Sequence, residues 1–181
     1  DRAAVEKIFA GAPAWLSEID ALINNAGLAL GTEKIQQGQW QDWDRMIDTN
    51  VKGLLSLTRM ILPAMIERKN GHVVNVGSVA GHHVYPGGAV YCASKFAVRA
   101  INDAMRLDLM GTGVRVSMIS PGMVETEFSE VRFNSSERAK AVYNGMTPLS
   151  ADDIAESIVW SLDRPAHVNI QELVKIGRAH V

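Results

Sequence analysis

The sequence predicts an α/β fold, a parallel sheet covered by helices on both faces, and three observations lead there. Short segments at 19–27 (IDALINNAG), 72–78 (HVVNVGS) and 114–122 (VRVSMISPG) are largely apolar, and a last strand is expected near 168–175. Stretches with apolar residues at a 3.6-residue period, each ten residues or longer, separate them. The strands end in turn-forming residues, Gly27 after the first and Pro121-Gly122 after the third. Strands without polar alternation, joined by helices, are the pattern of a parallel sheet buried on both sides.

In chain order, residues 2–16 (RAAVEKIFAGAPAWL) read as a helix that Gly11 and Pro13 weaken in its second half. A long helix over about 39–69 carries Trp43, Met46, Ile47, Val51, Leu54, Leu55, Ile61, Leu62 and Met65 on one stripe. A second covers about 88–110 and a third about 151–163, the latter preceded by a segment expected to be flexible. No repeat, low-complexity tract or linker divides the chain, so residues 1–175 are expected to form one domain. A sheet of four strands opening on a helix would leave one apolar edge uncovered. The chain is therefore expected to be the C-terminal part of a longer domain.

Composition narrows the function. Apolar residues make up 47% and charged ones 21% of the 181, in the range of a globular protein with a sizeable core. The net charge of −2, with basic residues scattered, argues against a nucleic-acid footprint or a polybasic membrane patch. No apolar run reaches the ~18–20 residues of a membrane span. One cysteine, Cys92, excludes an internal disulfide and suits the reducing cytosol, so a cytoplasmic location is expected. His72, His82, His83, His167 and His180 show no metal-ligand spacing, and no metal is expected.

The chemistry gathers in GSVAGHHVYPGGAVYCASK, residues 77–95. Tyr91 and Lys95, four apart on a helix, share one face with Cβ atoms about 6 Å apart. An ammonium there would stabilise phenolate and lower the phenol pKa from its ordinary value of about 10. A tyrosine so tuned exchanges a proton with a substrate hydroxyl near neutral pH. Ser78 falls at the carboxyl end of a strand, the edge where open α/β sheets bind ligands, and its hydroxyl could hold the same oxygen. Asn50 interrupts the buried stripe of the long helix, so its amide needs partners. A satisfied core amide and a site residue are both open there. Asn24-Asn25-Ala26-Gly27 closes the first strand, either as an ordinary turn or as a ligand-lining loop.

Together these residues resemble the short-chain dehydrogenase/reductase family, of the classical subgroup. NNAG, Thr49-Asn50-Val51-Lys52-Gly53, Ser78, YxxxK and Pro121 to Thr126 (PG-x-V-x-T) stand in the family's order over nearly the whole chain. The resemblance implies a Rossmann-type sheet of about seven parallel strands, of which these would be the fourth to seventh. The N-terminal glycine-rich loop and the first three strands would precede Asp1. It implies a catalytic set of Asn50, Ser78, Tyr91 and Lys95. Tyr91 would be the general acid/base, and Lys95 would tune it and bind the nicotinamide ribose. Ser78 would orient the substrate oxygen, and Asn50 would hold a water linking Lys95 to solvent. Asn24, Ala26 and Gly27 would line the adenosine-ribose side of the cofactor cleft, and Pro121, Gly122, Val124 and Thr126 would contact the nicotinamide.

Within the family, INNAGLALG, DWDRMIDTNVKGL, TEFSEVRF and PAHVNI look like the bacterial NADP-dependent 3-hydroxy acid dehydrogenases, also described as serine or L-allo-threonine dehydrogenases. This implies NADP(H), with NAD(H) the alternative, and a small 3-hydroxy acid as substrate, beside Ser78 and Tyr91. Arg132 is the candidate cation for its carboxylate; a solvated loop arginine is the plain alternative. PGMVETEF is one residue shorter than the subgroup's usual loop. The family also implies a homodimer or homotetramer through helices 39–69 and 88–110. Cys92 reads as small packing, and Trp40, Trp43 and Trp160 as core or interface. IGRAHV, 176–181, departs from the subgroup and reads as a non-native tail of adapter origin, which the coding DNA would check. Two further readings stay open: another alcohol or ketone, such as a 3-oxoacyl thioester or a cyclic alcohol, and a non-catalytic interaction protein. The isolated 181 residues, lacking a phosphate-cradling loop, are expected to bind cofactor weakly and show no useful turnover, which an NADPH-oxidation assay on them checks.

Overall fold

The computed structural model describes residues 2–11 and 14–178. Ala12 and Pro13 of the expected first helix, His180, and the last three residues of the IGRAHV tail lie outside the described residues. Four parallel strands form one sheet in the order β1-β2-β3-β4: β1 (Ala21–Asn24), β2 (Gly71–Val76), β3 (Val114–Pro121) and β4 (Glu172–Lys175). Ala21 pairs with His72, Val73 with Val116, and Met118 with Glu172, so the carboxyl ends lie along one edge.

Residues next to each other in a strand face opposite sides. Leu22, Val73 and Val116 pack with Ile61 and Met65 of α3 (Leu54–Arg68) and Met105 of α4 (Ala89–Asp108), with Phe9 of α1 (Arg2–Ala10) against them. On the other face Val74 and Ile119 pack with Leu149 and with Ile154 of α7 (Ala151–Leu162). A Ser150–Asp153 capping box starts α7. The α/β reading with a parallel sheet and helices on both faces holds. Among the described residues, strand β1 pairs only with β2 and forms one edge of the sheet.

Two expectations need correction. The helix over 39–69 is not uniform: α2 (Trp40–Ile47) passes through a π-helical turn, Asp48–Gly53, into α3. A widened turn is a common way of re-aiming a side chain at a site, and Asn50 is its buried residue. The segment read as flexible contains α5 (Glu127–Phe133) and α6 (Ser136–Ala141). Hydroxyl caps start both, Thr126 accepting from Phe128 N–H and Ser135 from Arg138 N–H. Helices of six and seven residues are too short to show a period.

Trp40 is 72% exposed and Trp160 44%, so neither is a core residue, whereas Trp43 packs beside Met46. Cys92 is buried, as small packing requires.

His72 is a buried titratable group near the amino end of β2, away from the carboxyl edge of the sheet. It is 2% exposed, its Nε2 lies 2.8 Å from Ser117 Oγ, and its Nδ1 has no partner. Burial first, and the Arg115 charge second, push its pKa down to about 4. The fold therefore favours neutral imidazole. This stability is complete above the unfolded value near 6.5 and is lost as pH falls from there toward 4. Urea unfolding should lose on the order of 2 kcal/mol across that window, and His72→Gln should remove that part of the slope.

Candidate active site

The carboxyl edge of the sheet carries the residues that the sequence singled out. Beyond β2, Ser78 starts a short 3-10 turn, Val79–Gly81, its Oγ accepting from Ala80 N–H at 3.1 Å. Tyr91 lies in the first turn of α4 and Lys95 one turn on, 8% and 6% exposed. The Ser78 turn rests directly on that helix: a Cβ on Gly81 would lie 2.9 Å from the Lys95 carbonyl oxygen, so only glycine fits.

Burial pushes the Tyr91 phenol up to about 12, while a hydrogen bond with Ser78 and the Arg132 charge pull it down. The helical spacing directs the Lys95 ammonium toward this phenol. The lysine instead donates to Val76 O at 2.9 Å, and burial lowers its pKa to about 8. One helical turn places the two on the same face, but the β2 carbonyl decides where the ammonium goes.

Asn50 is 2% exposed and heavily engaged. Its Oδ1 accepts from Leu28 N–H at 2.8 Å, and its Nδ2 donates to Leu28 O and to Ser94 Oγ, each at 2.9 Å. Both amide hydrogens are used, so a water could approach only the remaining Oδ1 lone pair. Gly27 lies over this group: a Cβ there would be 3.4 Å from Asn50 Oδ1 and 3.5 Å from Lys95 Nζ. Ala26 and Gly27 are exposed along the cleft, but the Asn24 side chain is not. Its Nδ2 donates inward to Thr58 Oγ1 at 3.0 Å and to Asn75 Oδ1 at 2.9 Å. The expected cleft-lining part of Asn24 therefore falls to its backbone.

After β3, buried Pro121 leads to Gly122, whose N–H donates to Lys175 O at 2.8 Å. Val124 O accepts from the Tyr143 hydroxyl at 2.9 Å, and Thr126 caps α5. That helix returns to the site. Phe128 packs 5.6 Å from the Tyr91 ring, and the Arg132 guanidinium lies 5.7 Å over the same ring. Arg132 Nε donates to Gly31 O, and Nη1 donates to the Tyr85 hydroxyl at 2.8 Å. Among the described residues Arg132 forms no ion pair. It is half-buried rather than a solvated loop residue.

Asn50, Gly27, Ser78, Tyr91, Lys95 and Arg132 thus converge, with Thr126 bound in through α5. Sequence reasoning missed Tyr85, Phe128 and Ser94. Ser94 was open to discovery, since it stands three positions after Tyr91 in YCASK. No periodic or motif signal pointed to Tyr85, which stands in a turn before Gly87-Gly88.

Comparison with known proteins places the whole chain. The family profile for short chain dehydrogenase matches residues 1–137. NADP-dependent 3-hydroxy acid dehydrogenase YdfG of Salmonella typhi is 50% identical over 172 residues, 94% of this chain and 69% of that protein. Serine 3-dehydrogenase of Rhizobium radiobacter is 48% identical over 174 residues, 96% of this chain and 70% of that protein. The closed form of serine dehydrogenase complexed with NADP+ superposes with a TM-score of 0.93 at 47% identity, covering 97% of this chain and 72% of that one. Serine dehydrogenase from Escherichia coli gives 0.82 at 43% identity over the same shares.

Asn50→Ala would strip Leu28 N–H and O and Ser94 Oγ of their partner at once. Such buried losses cost about 1–3 kcal/mol, so a fall of about 2 kcal/mol in urea-unfolding free energy is expected for that variant.

Proposed function

The chain belongs to the short-chain dehydrogenase family of oxidoreductases acting on CH–OH, and on that premise we propose that it interconverts small 3-hydroxy acids and their 3-oxo forms with NADP(H). Serine, allo-threonine and 3-hydroxypropionate are the substrate type. The observation that carries the acid specificity is Arg132, a half-buried guanidinium over the Tyr91 ring with no carboxylate of its own. Nε and one Nη1 hydrogen are engaged, leaving three N–H groups for an anion. A half-buried cation without an acid is costly unless a ligand supplies one. A 3-oxoacyl thioester or a cyclic alcohol would leave it unpaired.

The residues present fit the dinucleotide. Lys95 makes one hydrogen bond and keeps two donors for ribose hydroxyls under Gly27, where a Cβ would already be in van der Waals contact with Asn50 Oδ1 and Lys95 Nζ and take up space beside them. Backbone at Asn24, with Ala26 and Gly27, would hold the adenosine-ribose side, and Pro121, Gly122, Val124 and Thr126 would hold the nicotinamide. NADP(H), when bound, supplies or accepts the hydride.

The chain's own residues manage the proton. Ser78 Oγ holds the substrate oxygen beside the Tyr91 hydroxyl, whose pKa the serine hydroxyl lowers. In reduction the Tyr91 phenol gives its proton to that oxygen; in oxidation the phenolate takes it back. A phenol raised to about 12 is protonated at neutral pH and is therefore set as the donor. Asn50 holds the Leu28 backbone and, through Ser94, the α4 turn carrying Tyr91; the hydroxyl of Ser94 donates to Tyr91 O at 2.7 Å. Arg132 fixes the carboxylate, so that the hydroxyl-bearing carbon meets Tyr91. A cytoplasmic homodimer or homotetramer belongs to this reading. The exposed apolar residues Leu55 on α3 and Phe96 on α4 support such contacts.

In the full-length enzyme, Tyr91→Phe should lower kcat by about 10²–10⁴ with the fold intact by circular dichroism. Arg132→Ala should raise KM for 3-hydroxypropionate at least about tenfold and leave turnover of 1-propanol unchanged. No preference for the acid over the neutral alcohol in the parent enzyme would sink the narrow claim. Lys95 is charged below about 8 and neutral above it. Reduction should therefore be flat through neutral pH and fall as pH rises past about 8, as a pH profile of kcat/KM for the cofactor would register.

A further inference from the structure

A carboxylate outside the proton-handling set joins the two segments that frame the site. Glu172 opens β4 in register with Met118, so its side chain stands on the sheet face that Met118 shares with Ser120. Its Oε1 accepts two hydrogen bonds, from Ser120 Oγ and from His82 Nε2, each at 2.6 Å. His82 ends the turn that Ser78 begins, and Ser120 directly precedes Pro121-Gly122. The His82 and Glu172 side chains are only 20% and 19% exposed. The two segments also touch at Gly77, whose N–H donates to Ile119 O at 2.8 Å and where a Cβ would lie 2.7 Å from Ser120 Oγ.

An ionised carboxylate is an acceptor only, so His82 must carry its proton on Nε2 to donate. Hydrogen bonds to a charged acceptor are short and roughly twice as strong as neutral ones. Two of them meeting on one oxygen fix the distance between the strand ends. We propose that Glu172 is a positioning residue, a bracket that locks the Ser78 turn to the Pro121-Gly122 segment. It thereby sets the spacing between the serine that holds the substrate oxygen and the backbone that flanks the nicotinamide. The consequence for catalysis rests on the dehydrogenase reading above; the bracket itself does not.

The test uses the full-length enzyme with Glu172→Ala, Glu172→Gln and His82→Ala. Without the acceptor the Ser78 turn keeps only the Gly77 contact to the end of β3 and gains freedom to shift, and misplacements of about 1 Å can cost up to about 100-fold in rate. Glu172→Ala should lower kcat about tenfold, hold KM for the hydroxy acid within about twofold, and raise the isotope effect from deuterated NADPH. In the cofactor-free protein the same variant should speed amide hydrogen exchange over residues 78–82 about tenfold. His82→Ala should reproduce the exchange change. Glu172→Gln keeps an oxygen acceptor of the same shape and should recover most of both properties. Wild-type exchange at 78–82 in Glu172→Ala would overturn the proposal, as would a Gln variant as impaired as the Ala one. A lowered melting temperature with kcat and isotope effect unchanged would overturn it too. A parent enzyme inactive on every hydroxy acid would instead sink the dehydrogenase reading, while the exchange comparison still decides the bracket.

Discussion

The contact between Gly81 and the Lys95 backbone is the constraint on which the rest of the site depends. It lets the turn after β2 lie directly against helix α4, which brings Ser78, leaving the sheet, to Tyr91, entering the helix. Any side chain at Gly81 would push the turn and the helix apart, because the opposing atoms are backbone and have no rotamer to give. Lys95 responds to the same contact, its ammonium reaching back past the turn to the last residue of β2. One close approach thus orders three of the four residues of the proposed catalytic set.

The fourth, Asn50, belongs to a set of buried amides that organise the helices behind the site. Asn24 reaches Thr58 and Asn75, and Asn75 reaches Asn102, so hydrogen bonds run from β1 across β2 to α4 and out to α3. Apolar packing tolerates small slides, whereas an amide whose partner slides away loses most of its bond. Such a network sets the rotation and height of α3 and α4 against the sheet more sharply than the surrounding leucines and valines do. The π-helical turn at Asp48–Gly53 serves the same end, letting Asn50 meet the Leu28 backbone.

The electrostatics are those of little-exposed cations held by neutral partners. Arg132 stands over the Tyr91 ring and Lys95 reaches Val76 O, and neither has an acid against it among the described residues. Low exposure makes each of these groups sensitive to what enters, since a buried cation gains more from an anion than a solvated one does. The Tyr85 hydroxyl and the Gly31 carbonyl keep Arg132 aimed without neutralising it.

The sequence alone determined the four strands, the helices that begin at Arg2, Ala89 and Ala151, and the family, and it singled out Ser78, Tyr91, Lys95 and Asn50 as the proposed site. Those properties reside in local periodicity and in short motifs whose spacing is set by one strand end or one helical turn. Tertiary structure decided whatever depends on atoms distant along the chain. It turned the Asn24 amide into the core toward Thr58 and sent the Lys95 ammonium to Val76 O rather than to the phenol. It also folded the expected flexible segment into α5 and α6 and so carried Arg132 back over Tyr91. The Glu172 bracket spans 90 residues to His82 and 52 to Ser120, and no local pattern encodes a meeting of that kind. Side chains settle on the nearest available partner, and for these residues that partner exists only once the parallel strands have brought their ends together.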